Sequence, residues 1–196
     1  MKSKKSVSLL WAAFIMLALP GIAISGQSYK TDQGHTEVLF GWSHAGVSFQ
    51  HAEFTVATGT LDLEDDIEKS SISVVIDANS LSSGFEALDK DLKSENFLDV
   101  ANHPEITFQS TSVKKTGENT LDVTGDLTIH GTTNPVTLNV EITHQGEHPV
   151  AAFFDYYKGE WIAFRATTEF DHMAFGVGSF STGPIMVEIN TEMKAQ

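Results

Sequence analysis

The sequence predicts an all-β protein, an eight-stranded antiparallel up-and-down barrel or a closely related sandwich, with a short helical excursion near residues 85–100. Three observations predict it. Apolar and polar residues alternate with period two through most of the chain, the pattern of strands buried on one face. Short Gly-, Asn- and Pro-containing turn signals separate the alternating runs. Thr and Ser fill many of the intervening positions, which suits a solvated outer face.

The first residues stand apart from this pattern. Lys2, Lys4 and Lys5 precede an apolar run from Val7 to Leu19 that only Ser8 interrupts. Pro20 and Gly21 break the run, and small residues follow at Ala23, Ser25 and Gly26. This is the make-up of an export signal, because a membrane span needs about 20 apolar residues. Cleavage is expected after Ser25, with Ala23 or Gly26 as alternatives and a retained anchor as the competing reading. The division is then a signal peptide at 1–25 and one domain at 26–196, about the length of a single domain. The chain has no cysteine, so the junction carries no lipidation site and no disulfide holds the domain. Removing the three leader lysines leaves nine basic residues against 26 acidic ones, a net charge near −17. Such a surface repels nucleic acid and anionic lipid headgroups.

Strands are expected near 37–47, 53–64, 71–78, 105–114, 119–130, 135–144, 160–169 and 184–194. Their apolar faces include Val38, Phe40 and Trp42, then Ile72, Val74 and Ile76, then Leu121, Val123, Leu127 and Ile129 around Gly125. Val136, Leu138, Val140 and Ile142 follow, then Ile162, Phe164 and Ala166, and finally Ile185, Val187 and Ile189. Gly59 predicts a bulge in the second strand. Turns are expected at Gly117-Glu118-Asn119, at 131–135 and at Gln145-Gly146-Glu147. Phe85, Leu88, Leu92 and Leu98 fall at helical spacing and predict a helix capping one mouth. A second short helix is expected near 171–175. The aromatic segment 150–157 reads either as an added strand or as a flap over the other mouth.

Several motifs together resemble one family. Tyr29, Asp32, His35 and Thr36 match the opening of YceI-like proteins, and His44, Gly46 and Ser48 match the element that follows. Gly59 falls at the family's strand-two glycine. Leu92, Lys93, Ser94, Phe97 and Asp99 are similar to the family's helical signature, and His103-Pro104-Glu105-Ile106-Thr107-Phe108 to its next strand opening. Gly125-Asp126-Leu127-Thr128-Ile129-His130-Gly131 is the most specific match, and the resemblance spans the mature chain. It implies a periplasmic, lipocalin-like barrel that binds long amphiphiles, polyisoprenoids above all. Two motifs depart from the family. Leu88 and Asp91 stand where relatives often carry Arg and His, and His172 stands at an Arg place before Phe175-Gly176. These departures argue against a pyrophosphate headgroup and for a neutral quinone or fatty amide.

An eight-stranded barrel is just wide enough for filling side chains or for one slim ligand. The expected ligand-binding residues are Phe40, Trp42, Phe54, Leu61, Ile76, Phe108, Leu127, Ile129, Leu138, Phe164 and Phe175. No catalytic residue, metal or cofactor is expected. His144 and His148 sit four apart, but Gly146 and Pro149 predict a turn there, which removes the helical geometry of a zinc pair and leaves solvated histidines. His35, His44 and His130 are expected to hydrogen-bond strand ends. Residues 176–183 superficially resemble a phosphate loop but lack its lysine, and read as a flexible loop at the rim. Glu64-Asp65-Asp66 reads as a solvated hairpin. Three functions follow: a non-catalytic periplasmic carrier for polyisoprenoid-type or other long-chain lipids, a lipid hydrolase or isomerase working at the mouth through His44 or His130, and a structural or partner-binding envelope protein. A homodimer is open.

Overall fold

A computed structural model describes residues 26–178 and 183–196; the expected leader and part of the glycine-rich loop lie outside these. The strands are β1 (Gln27–His44), β2 (Ser48–Phe54), β3 (Ala57–Leu63), β4 (Ser71–Asp77), β5 (Leu81–Ser82), β6 (Glu105–Lys115), β7 (Thr120–Ile129), β8 (Thr132–Glu147), β9 (Glu160–Phe170) and β10 (Ile185–Ala195). Among the described residues one α-helix, α1 (Glu86–Lys93), lies between β5 and β6. All pairings are antiparallel, and β10 pairs back onto β1, which closes the sheet. The expected eight-stranded barrel is therefore present, its ring running β1-β3-β4-β6-β7-β8-β9-β10. Among the described residues no helix is long and apolar enough to cross a membrane.

Period two gave the strands, but the first two differ from expectation. β1 starts ten residues early and is long enough to serve two neighbours: Gln27–Lys30 pair with β3, and Val38–His44 pair with β2. The expected second strand is broken at Thr55-Val56 into β2 and β3. Gly59 forms no bulge, since it pairs in register with Val74. It makes room instead: its amide donates to Thr31 Oγ1 at 3.0 Å, and a Cβ there would stand 3.1 Å from the Thr31 methyl. The bulges fall elsewhere, between Thr31 and Thr36, between Ser110 and Ser112, and between Ile142 and His144.

Two expected turns also move. The β7–β8 connection is a two-residue turn, His130 (φ 52°) and Gly131 (φ 73°), both left-handed as a tight hairpin matching the strand twist requires. Residues 132–135 already belong to β8. Pro135 is tolerated because β9 pairs with β8 only from Asn139 onward, leaving one edge of β8 without a strand at this level. Likewise 145–147 are strand, with Gly146 opposite Trp161. The Gly117 turn and the short helix near 171–175 stand as expected, the latter as a 3₁₀ turn over His172–Phe175. On the outer face Thr124 bonds Thr137 and Thr128 bonds Thr133, each at 2.8 Å, a polar ladder on the solvated side of β7 and β8.

The two ends of the barrel are built differently. At one end Tyr29, Leu61, Ile162 and Met193 converge and fill the interior, Ile162 and Met193 at 0 % exposure. At the other end α1 and the chain after it lie across the mouth, with Leu92, Phe97 and Leu98 packed onto Trp42, Phe54 and Ile106. No N-cap side chain bonds the start of α1; Asp89 instead reaches back to accept from the Ser83 amide (2.7 Å) and hydroxyl (2.5 Å). These bonds lower the Asp89 carboxyl below the usual range. Phe85, expected on the buried helical face, is exposed at the helix start.

Candidate ligand-binding cavity

Between the filled end and the helical lid lies an internal cavity of about 260 Å³. Its wall runs from Leu92 and Phe97 under the lid to Ile67 and Met193 near the opposite end, so the space is long and narrow. Ligand pockets for compact molecules start at roughly 300 Å³. A volume slightly below that, drawn out along a barrel, suits a slender chain.

Strand alternation supplies the wall. In β1 the even residues Val38, Phe40 and Trp42 point inward, and in β10 the odd residues from Ile185 to Met193 do so. Phe40 stacks between Trp42 and Phe54, with ring centroids 5.7 and 5.1 Å away. Gly125 occupies an inward position of β7 because a side chain there would collide: a Cβ would lie 2.4 Å from the Phe108 ring and 2.6 Å from the Gln109 carbonyl oxygen. The missing side chain lets the Phe108 ring lie across β7.

The structure places all eleven residues expected to bind ligand on the cavity wall: Phe40, Trp42, Phe54, Leu61, Ile76, Phe108, Leu127, Ile129, Leu138, Phe164 and Phe175. The expected capping helix is present over one mouth, but Leu92, Phe97 and Leu98 of the lid and His172 line the cavity and were not among the expected ligand-binding residues. The helical spacing of Leu92 and Leu98 was the available signal for two of these. Polar groups on the wall are hydroxyls, at Thr31, Thr36, Ser70, Ser71, Thr168 and Thr191, and the imidazole of His172. The described wall holds no Asp, Glu, Lys or Arg. His172 is buried, and its Nδ1 donates to the Val177 carbonyl oxygen at 2.6 Å, which fixes the 172–177 turn behind Phe175.

The remaining motif residues lie elsewhere. His44 is exposed at the β1–β2 hairpin, is not on the cavity wall and makes no side-chain hydrogen bond among the described residues; His130 packs edge-on against His103 at 4.8 Å. Asp32 and His35 sit in the β1 bulge on the outer wall, where His35 Nδ1 donates to Asp32 Oδ2 at 2.9 Å. That bond raises the imidazole above its ordinary value. Burial pushes the Asp32 carboxyl up, but the bonds from His35 and the Gly34 amide outweigh it and hold it below the usual carboxylate range. The aromatic segment 150–157 is neither strand nor flap. It folds into turns and a 3₁₀ stretch against the outside of β9, where Tyr156 and Tyr157 cover Trp161, at 1 % exposure. His144 and His148 are not solvated turn residues either: His144 belongs to β8, and the His148 side chain is 17 % exposed against Tyr157 and Trp161.

Fold and cavity define a class: a closed antiparallel barrel with a hydrocarbon-lined interior cavity. Residues 29–196 match the YceI-like domain, and the chain belongs to the YceI-like family. A UPF0312 protein of Pseudomonas putida (strain W619) is 39% identical over 177 residues, covering 86% of this chain and 88% of its own. Another from Vibrio parahaemolyticus is 34% identical over 181 residues, covering 89% and 92%. Among solved structures the barrel is similar to Burkholderia cenocepacia BcnA, with a TM-score of 0.71 at 19% identity, covering 83% of this chain and 98% of that one. It is also similar to a polyisoprenoid binding domain from Saccharophagus degradans, with a TM-score of 0.60 at 14% identity, covering 87% and 99%. At these identities the structural likeness concerns the fold.

Proposed function

We propose that the protein is a non-catalytic carrier for one long-chain amphiphile of the polyisoprenoid type, working in the periplasm after removal of residues 1–25. The observation that carries this is the narrow interior cavity whose described wall has no Asp, Glu, Lys or Arg. Burying an alkyl chain is worth about 0.8 kcal/mol per methylene. Ten methylenes would contribute about 8 kcal/mol, the scale of micromolar binding before ordering costs. The same wall has no cation for a pyrophosphate, which supports a neutral head such as a quinone ring or an amide. The Saccharophagus degradans domain of the same fold is described as polyisoprenoid binding, which supports the chain type.

The wall also supports binding without turnover. Its one imidazole is committed through Nδ1 to a backbone carbonyl, and no carboxylate lies beside it on the wall to complete an acid–base pair. The test is to express the full chain with its leader, purify the exported protein and examine it by native mass spectrometry and organic extraction. The expected result is one long-chain neutral lipid per protein, released unchanged. Protein that retains no lipid and fails to enhance the fluorescence of an alkyl-chain probe would overturn the carrier reading, and recovery of a chemically altered lipid would favour an enzyme.

A further inference from the structure

The outer wall beside the filled end carries a second constellation, unrelated to the cavity. Two bulges build it. The register break between Thr31 and Thr36 swings Asp32 and His35 over β10, and the break between Ile142 and His144 turns His144 to the same outer face. His144, Ala163 and Glu192 then lie in one row across β8, β9 and β10. The Ala163 methyl is too short to separate its neighbours. One ligand-type atom from each of Asp32, His35 and Glu192 lies within 4.8 Å of the other two, and His148 Nε2 stands 3.3 Å from Glu192 Oε2.

We propose that Asp32, His35 and Glu192 bind one divalent transition-metal ion of the zinc kind, with His148 beside Glu192 as a fourth donor or as its orienting partner. Two carboxylates are brought together in a recess walled by Tyr157 and His148, and Lys194, the next cation along β10, is turned away onto the Tyr156 carbonyl and ring. Glu192 Oε2 and His144 Nε2 are both buried without a hydrogen-bond partner among the described residues, and the contact of Glu192 with His148 lacks hydrogen-bond geometry. Leaving such buried polar atoms unpaired is costly, because they lose their water partners and gain none in return. A cation between the carboxylates removes that cost for Glu192 and cancels the repulsion. Imidazole nitrogen with carboxylate oxygen selects Zn²⁺, Ni²⁺ or Cu²⁺ over Ca²⁺ or Mg²⁺, which prefer all-oxygen shells. Bonds of about 2.0–2.2 Å place donor atoms of a tetrahedral site roughly 3.4 Å apart. Asp32 and His35, at 2.9 Å, are close to that spacing, and the part-exposed Glu192 side chain closes the rest by rotation.

The experiment is isothermal titration of Zn²⁺ into tag-free, chelator-free protein, with thermal unfolding as a second readout. One equivalent should bind with a dissociation constant at or below roughly micromolar and raise Tm. Glu192→Gln, which keeps the shape of the side chain, and His35→Gln should each weaken binding tenfold or more while leaving the metal-free circular dichroism unchanged. His103→Ala should bind like the wild type, because it removes a member of the other trio, Asp99, His103 and His130 at the lidded end. Binding weaker than about 100 µM, or binding that survives Glu192→Gln and is lost in His103→Ala, overturns the assignment. Should Glu192→Gln unfold the protein, Asp32→Asn measured the same way decides: retained binding rejects the site.

Discussion

The two ends of the barrel solve the same problem, closing a tube of strands, by opposite means. At the filled end the closure is covalently part of the wall: Tyr29, Leu61, Ile162 and Met193 belong to strands and meet in the middle. At the lidded end it is borrowed from a connection, α1 and the turns after it, which contribute Leu92, Phe97 and Leu98. Strand side chains cannot withdraw without breaking ladder hydrogen bonds on both sides. A helix of eight residues held by one buried leucine and a reversed Ser83–Asp89 cap can. The difference assigns roles: the filled end sets stability, and the lidded end sets ligand exchange.

The largest expected effect tests the first half of that assignment. Ile162→Ala or Met193→Ala removes a side chain at 0 % exposure and should cost about 2–5 kcal/mol by denaturant unfolding, with little change in the rate at which a bound alkyl probe leaves. If either variant speeds probe release more than it lowers stability, the ends are not specialised. In the middle of the tube the sign reverses. Leu138→Trp adds bulk to a half-buried wall position facing open space and should leave stability nearly unchanged. Displacing about three methylenes of ligand would lower affinity by about 2.4 kcal/mol, roughly fifty-fold, measured by probe titration. Gly125→Ala is the contrasting mid-barrel change. Its new methyl meets the Gln109 carbonyl as well as Phe108, so it should destabilise by about 1–3 kcal/mol, and unchanged stability would show that β6 yields there.

How much of this could be read from the sequence depends on how far each feature reaches. Inward and outward faces are a local property of alternation, which is why Phe40, Leu127 and Phe164 could be placed on the interior before any fold was known. A bulge is not local. It reverses the alternation only relative to a partner strand, so nothing in Thr31–Thr36 or Ile142–His144 alone announces that Asp32 and His144 share a face. Glycine misled for a related reason. Gly59 and Gly146 read as a bulge and a turn, yet both continue their strands, Gly59 to spare the Thr31 methyl and Gly146 at φ 122° opposite Trp161. Pro135 looked like a loop because its tolerance depends on where β9 begins. The outer-wall cluster was hidden twice over, being built from both bulges and covered by an aromatic segment whose packing surface, Trp161, sits on the face that alternation assigns to solvent.

The lid should respond to two milder changes. Leu92→Ala empties the one buried position of α1 and should speed probe release severalfold at a stability cost smaller than that of Ile162→Ala, because the helix relaxes around the loss. The smallest effect is a pH dependence. Asp89 titrates below its ordinary value because the Ser83 hydroxyl and amide donate to its carboxylate. A carboxyl whose folded pKa is lowered contributes stability above its unfolded value of 3.8 and loses it as the pH falls through the folded pKa. The tie between Ser83 and α1 should therefore be intact at neutral pH and weaken below pH 3.8. The Asp89 carboxyl ¹³C shift should show a midpoint below 3.8 that returns toward 3.8 in Ser83→Ala. Asp32 is also held low beside the filled end, so the ends are separated with Ser83→Ala at neutral pH: probe release should quicken while packing around Met193, read from its methyl resonance, stays unchanged. Simultaneous loss of both signals would mean that the two ends unfold as one unit and that the lid has no independent motion to regulate.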